Sequence, residues 1–183
     1  VMSQVGGSGL ALGLTGYRKL PENELNPLML ALYQEGPVAV SLSAGRGWNH
    51  YASGIMDACA RDAVINHAVV LVGYGAASGH GYWLILNSWG QRWGEGGFIR
   101  LQRRSDAEEA AYCGWDHDPG VGSGCRGGPP EVEVCGSCGI LYDAVVPIFE
   151  RRDDALWSKL GRERPLASPP ASLFGGLAHG AVR

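Results

Sequence analysis

The first stretch with a clear period begins at Asn26. Leu28, Leu32 and their neighbours form an apolar stripe at helical spacing, Asn26 and Pro27 suit a helix start, and Gly36-Pro37 suits its end. The period then falls to two. Val38, Val40 and Leu42 alternate with Ala39, Ser41 and Ser43, the signature of a half-buried strand whose small side can line a cleft. Two further strands are predicted over 67–73 and 82–86, separated by the turn-rich stretch Gly75 to Gly81, and Gly97 to Leu101 reads as another. The pattern is that of an antiparallel, glycine-rich β assembly preceded by one helix.

Beyond Cys113 the texture changes to Asp, Gly and Pro turns, followed by the short apolar runs Ile140 to Tyr142 and Val145 to Pro147. This predicts a main domain over 1–115, a cysteine-bearing accessory extension over 116–150 and a flexible tail over 151–183. The tail is charged, then rich in Pro, Ser, Gly and Ala, with at most a short helix near 153–160, so little in it repays ordering entropy.

Composition narrows the classes of function. The 183 residues carry a net charge of -3 with no dense basic run, which argues against a nucleic-acid partner or an anionic membrane surface. The apolar runs are of strand length, well short of the roughly 20 residues that span a bilayer, so no membrane role is expected. Five cysteines among glycine-rich turns point to disulfides and to the secretory pathway, a lysosome- or vacuole-like compartment, or the extracellular space. The odd count leaves at least one thiol unpaired within the chain.

Two residues stand out as a chemical pair. A hairpin centred on Ala77 would set His67 opposite Asn87, and opposed residues have Cβ atoms about 4.5–5.5 Å apart, near enough for an amide oxygen to hold an imidazole N–H. An orienting amide fixes the tautomer without adding a full charge, which suits a base that works beside a thiolate. A lone histidine at a strand start is more often a hydrogen-bonded core residue; the surrounding sequence overturns that prior.

The runs Asn66-His67-Ala68-Val69-Val70-Leu71-Val72-Gly73-Tyr74-Gly75 and Tyr82 to Arg100, with Asn87-Ser88-Trp89-Gly90 at its centre, closely resemble the histidine and asparagine blocks of papain and the cathepsins. Glu35 to Val40 and Tyr51 to Ile55 resemble the same family in the same order, and the likeness covers roughly Gly16 to Trp115. The resemblance implies an α+β fold, the papain-like right-hand domain, a β-barrel-like antiparallel assembly with one leading helix, without the helical partner domain. It implies His67 as general base and acid, Asn87 as its orienter and Trp89 as the indole shielding their bond. It also implies that Asn66 presents its backbone carbonyl to substrate, and that Ser41, Ile65 and Ala68 line the pocket for the residue preceding the scissile bond's own neighbour. A disulfide between Cys59 and Cys113 follows from the same resemblance and from their position on neighbouring loops. The substrate is then a peptide or protein, and no metal or cofactor is required.

The nucleophilic cysteine of such enzymes lies about 130 residues before the histidine, whereas Cys59 is the only cysteine preceding His67 here and matches a structural half-cystine. The expectation is therefore a half-domain that supplies His67 and Asn87 to a thiolate on upstream sequence or another chain, inactive by itself. The rival is a binding or structural domain that has lost its nucleophile. Cys135-Gly136-Ser137-Cys138 resembles the opening of the nucleophile motif, but Gly139 replaces the aromatic residue and Val132 the glutamine. A zinc site of His117, Cys125, Cys135 and Cys138, and a redox use of the CxxC pair, are lesser readings.

Overall fold

The computed structural model describes residues 14–123 and 127–149. In chain order these form β1 (Leu14–Lys19), α1 (Leu25–Gln34), β2 (Val38–Leu42), a helical turn α2 (Arg46–Asn49), β3 (Ile55–Met56), β4 (His67–Ala77), β5 (His80–Leu86) and β6 (Phe98–Arg103). There follow α3 (Asp106–Ala110), β7 (Cys113–Asp116), the turn α4 (Gly120–Ser123), β8 (Val132–Cys135), a 3-10 turn (Ser137–Gly139) and β9 (Asp143–Phe149). The expected tail over 151–183, with its short helix, lies outside the described residues.

Seven strands make one sheet in the order β1-β9-β2-β4-β5-β6-β3, and β7 and β8 pair separately. The β2–β4, β4–β5 and β5–β6 pairings are antiparallel, as expected, whereas β3 joins β6 in parallel. The alternation in β2 is realised as Val38, Val40 and Leu42 buried, packed with Leu71, Trp83, Ile85, Ile99 and Leu101 from the neighbouring strands. Leu25, Leu28 and Ala31 of α1 close the same core.

Three local details differ from the sequence pattern. The helix starts at Leu25 with Glu24 at its cap position, so Asn26 lies inside the first turn; Pro27 is tolerated because first-turn N–H groups have no helical partner. The hairpin turn is tighter than Gly75 to Gly81: Ala77 faces His80, and Ser78 and Gly79 both take positive φ, as a two-residue turn matched to strand twist requires. A bulge in β4 between Leu71 and Gly73 then shifts the register, and Val70 faces Leu86. Extending that ladder would set Asn87 opposite Val69, not His67.

The stretch 116–150, expected to be one accessory extension, divides into two parts. Cys113 to Cys135 is a hairpin in its own small sheet, while β9 returns to the main sheet between β1 and β2, with Ala144 and Val146 in the core. The 3-10 turn that follows the hairpin is joined to the main sheet through Glu109, whose fully buried carboxylate accepts Trp83 Nε1–H at 3.0 Å, Arg104 N–H at 3.0 Å and Ser137 N–H at 2.8 Å. A buried carboxylate is stable there because its oxygens are so occupied and the Arg104 guanidinium lies 3.8 Å from Oε2.

The expected Cys59–Cys113 disulfide is not formed. Cys59 pairs with Cys138, and Cys113 pairs with Cys135, the residue directly opposite it in the β7–β8 ladder. The correction has a topological reason: the 3-10 turn bearing Cys138 is drawn beside the main sheet by the return of β9, a long-range pairing absent from the local pattern. The zinc and CxxC readings fail with it, since the sulfurs of Cys135 and Cys138 are committed to different partners; Cys125 lies outside the described residues.

The sequence separations are 79 for Cys59–Cys138 and 22 for Cys113–Cys135. On the chain-entropy model these correspond to about 4.5 and about 3.4 kcal/mol. Replacing Cys59 and Cys138 by serine should therefore lower the guanidinium midpoint more than replacing Cys113 and Cys135. Peptide mapping without reductant should recover the 59–138 and 113–135 pairs, and a 59–113 peptide would contradict the topology.

Candidate active site

His67 begins β4, opposite Leu42 of β2, and Asn87 follows the end of β5. Their side chains meet although their backbones are not in register: His67 Nε2 and Asn87 Oδ1 are 2.8 Å apart. The sequence-based pairing was thus right in its contact and wrong in its register. The turn at Ser78-Gly79 sets the offset, the β-bulge narrows it from three residues to two and so returns both residues to one face of the sheet, and the free dihedrals of the two side chains close the remaining diagonal gap.

The proton's position on this bond follows from a third group. Asn87 Oδ1 also accepts the backbone N–H of Ser88 at 2.8 Å, so it is the amide oxygen, and Nε2 must be the donor. In the neutral imidazole the lone pair then sits on Nδ1. Among the described residues no hydrogen bond engages Nδ1, and Asn87 Nδ2, buried with its residue, also has no partner.

A wall of indoles surrounds the pair. Trp89 lies 5.2 Å from the His67 ring centroid and is 40% exposed, so it covers the imidazole while presenting its own face to solvent. Trp48, which the sequence reading did not single out, approaches the same ring edge-on at 6.0 Å and is fully buried. Trp93 stacks on Trp48 at 6.0 Å, and its Nε1–H donates to Trp48 O at 2.9 Å. Trp48 carried no signal because it sits in a short polar helical turn 19 residues before the histidine.

The loop that holds Trp89 and Trp93 is fastened by Glu95. Its carboxylate accepts Gly54 N–H at 2.9 Å and Arg100 Nε–H at 2.8 Å, while Arg100 N–H donates to Tyr51 Oη at 3.2 Å. The Arg100 guanidinium is the principal reason that the Glu95 carboxyl titrates at about 2.

Ser41, Ile65, Asn66 and Ala68 do come together with His67, as lining of a cavity of about 790 Å³. Ser41 faces Ala68 across β2–β4 and Asp143 across β2–β9, and its hydroxyl donates to Asp143 Oδ2 at 2.7 Å. Asn66 Oδ1 accepts Ala44 N–H at 2.9 Å, which turns the residue's backbone ahead of His67. The opposite wall, absent from the sequence reading, comes from the β7–β8 hairpin. Asp116, fully buried, accepts Ile65 N–H at 2.9 Å and Asp118 N–H at 2.8 Å, and Asp62 accepts Trp115 N–H at 2.9 Å. At Gly122 an added Cβ would fall 2.0 Å from Ile65 O, so only glycine permits so close an approach.

A hydrogen-bonded His–Asn pair beside a tryptophan, at the head of a strand that borders an open cleft, can hold a proton on one ring nitrogen and leave the other basic. A model of the papain family of cysteine proteases matches residues 6–130. The chain belongs to that family.

Among its relatives, germination-specific cysteine protease 1 of Arabidopsis thaliana is 41% identical over 105 residues, covering 56% of this chain and 27% of that protein. A viral cathepsin of Cydia pomonella granulosis virus is 40% identical over 96 residues, covering 52% and 28%. In structure, the bromelain protease of Ananas comosus, solved with the inhibitor E64, matches with a TM-score of 0.54 and 32% identity over 75% of this chain and 51% of that one. Procathepsin L 3 of Tenebrio molitor gives 0.53 and 31%, over 74% and 36%. The chain thus spans under a third of the length of these curated relatives. These likenesses bear out the papain-like α+β fold expected from sequence.

A carboxyl whose folded pKa is depressed stabilises the fold above its unfolded value, about 4.3 for glutamate, and that contribution disappears as pH falls. Glu95 should accordingly contribute fully at neutral pH and lose its contribution between about pH 4.5 and 2. In Glu95→Gln this part of the acid destabilisation should be absent, and Trp fluorescence should report a loosened indole cluster already at pH 7.

Proposed function

We propose that this chain provides the acid–base half of a papain-type peptidase site, with His67 as proton carrier and Asn87 as its orienter. The observation that carries the reading is the His67 Nε2–H to Asn87 Oδ1 bond of 2.8 Å, which leaves Nδ1 as the basic nitrogen of a residue that lines the cleft. Trp89 shields that bond from water, and Asn66 offers its carbonyl to the substrate main chain. Ser41, Ile65 and Ala68 form one wall of the pocket for the residue preceding the scissile bond's own neighbour.

The nucleophile is a cysteine on sequence upstream of Val1 or on another chain. Within the described residues Cys59, Cys113, Cys135 and Cys138 are all in disulfides, which removes Cys138 as a rival thiolate. The thiol gives its proton to Nδ1, and the thiolate attacks the peptide carbonyl. The imidazolium then protonates the departing amine as the C–N bond breaks. In deacylation water adds to the thioester, Nδ1 takes its proton, and the thiol is restored as the acid leaves. Asn87 keeps the ring aimed throughout without competing for the positive charge.

The two disulfides suit an oxidising compartment, such as the secretory pathway, a lysosome or vacuole, or the extracellular space. Among the described residues no helix is long and apolar enough to cross a membrane.

The chain alone should show no turnover of fluorogenic peptides. In the natural full-length protein, His67→Ala should lower kcat by on the order of 10⁴-fold or more. Asn87→Ala should lower it by roughly tenfold to a hundredfold, since it misaims the base without removing it. Equal, small effects of both substitutions would refute the assignment, as would turnover by the chain alone.

A further inference from the structure

The cavity beside His67 has a chemical asymmetry that its catalytic setting does not explain. Three carboxylates line it, Asp116, Asp118 and Asp143, and among its described lining residues there is no lysine or arginine. Its other surfaces are apolar or backbone: Ile65 and Ala68 on one wall, Val132 and the Pro129–Pro130 edge of the hairpin on the other.

Strand pairing decides where the acids lie. Asp143, Ser41 and Ala68 are successive partners across β9, β2 and β4, so the three form one row on the cavity side of the sheet. The Ser41 hydroxyl holds Asp143 Oδ2 at 2.7 Å and so directs the carboxylate. Lys19 is 3.7 Å from Asp143 Oδ1, but its ammonium is engaged by Glu22 at 2.6 Å. The Asp143 side chain remains 34% exposed, and a carboxylate offers about four acceptor sites. Asp116 spends its oxygens on backbone N–H groups, so its charge has no cation against it and adds to the negative potential of the cleft. Asp118 is exposed at the mouth.

We infer that this cavity is a subsite for a cationic side chain, arginine or lysine, of a bound peptide, with Asp143 as its specificity-determining residue and the disulfide-closed hairpin as its far wall. The inference rests on reading the cleft beside His67 as a peptide site. The aliphatic stem runs along Ile65, Ala68 and Val132, as long basic side chains do over apolar surface. The cationic head meets Asp143 and Asp118, where a guanidinium can take carboxylate oxygens in pairs. An apolar residue would take water from Asp143 and Asp118 without supplying a donor in its place, so the pocket discriminates against it.

The test compares N-acetyl-arginine amide with its neutral isostere N-acetyl-citrulline amide, and with N-acetyl-leucine amide, titrated into the 183-residue chain by heteronuclear NMR. Arginine amide should perturb the Ser41, Ile65 and Ala68 resonances and bind roughly three- to fivefold more tightly than citrulline amide, as suits a partly exposed ion pair. Asp143→Asn should abolish that preference with citrulline binding retained. Should Asp143→Asn fold poorly, raising the ionic strength from about 0.02 M to about 0.5 M on the unaltered chain should erase the same preference, and Asp118→Asn should reduce it. Equal binding of arginine and citrulline amides, tightest binding of leucine amide, a preference that survives Asp143→Asn or high salt, or no binding by any probe would each overturn the inference. Leucine or citrulline binding without an arginine preference would overturn it with the peptide cleft intact. Arginine binding combined with an unaffected His67→Ala enzyme would instead overturn the catalytic reading.

Discussion

The connection from Cys59 to Asn66 has no secondary structure of its own, yet it delivers His67 to the cleft. Irregular backbone near a core must find partners for its N–H and C=O groups elsewhere, and here the anchors come from three separate parts of the chain, the 3-10 turn, β7 and β2. Cys138 anchors its start through a disulfide, Asp62 takes Trp115 N–H, Asp116 takes Ile65 N–H, and Asn66 N–H reaches Leu42 O. Release of any of these would let the strand that begins at His67 start at a different angle, and an error of about 1 Å at a proton-transfer group is enough to lose a hundredfold in rate. The hairpin from Cys113 to Cys135 is therefore a brace for the segment that carries His67 before it is a wall of the cleft.

The imidazole's chemistry is set by neighbours that carry no net charge. Asn87 supplies direction, and the tryptophans exclude water around a single hydrogen bond, which strengthens it in a low local dielectric. The charged groups stand farther out: the Glu95–Arg100 pair fastens the loop that presents Trp89 and Trp93. This separation leaves His67 free to change protonation state during a reaction without breaking an ion pair.

The site residues legible in the sequence, His67, Asn87 and Trp89, lie in uninterrupted blocks whose local pattern is characteristic. The fold class was legible for the same reason, since the strands β2, β4, β5 and β6 are sequential neighbours with clear alternation. What escaped was long-range. Asp143 and Ser41 are separated by 102 positions and meet only because β9 threads between β1 and β2. Trp48 reaches the histidine ring from a turn without periodicity, and Glu109 reads as one acid in a charged stretch although it is buried beneath Trp83 and Ser137.

The cysteines mark the boundary between the two kinds of information. By itself the sequence determined the strands β2, β4, β5 and β6, the helix before them, the contact between His67 and Asn87 and the presence of disulfides, because period, turn chemistry and local motif are properties of neighbouring residues. Only the tertiary structure decided which cysteines are joined, how the turn and the β4–β5 bulge together set the register between His67 and Asn87, and that three aspartates converge on one cavity. Those depend on the sheet order and on a single bulge in the register, and a one-residue change in either redirects every side chain beyond it.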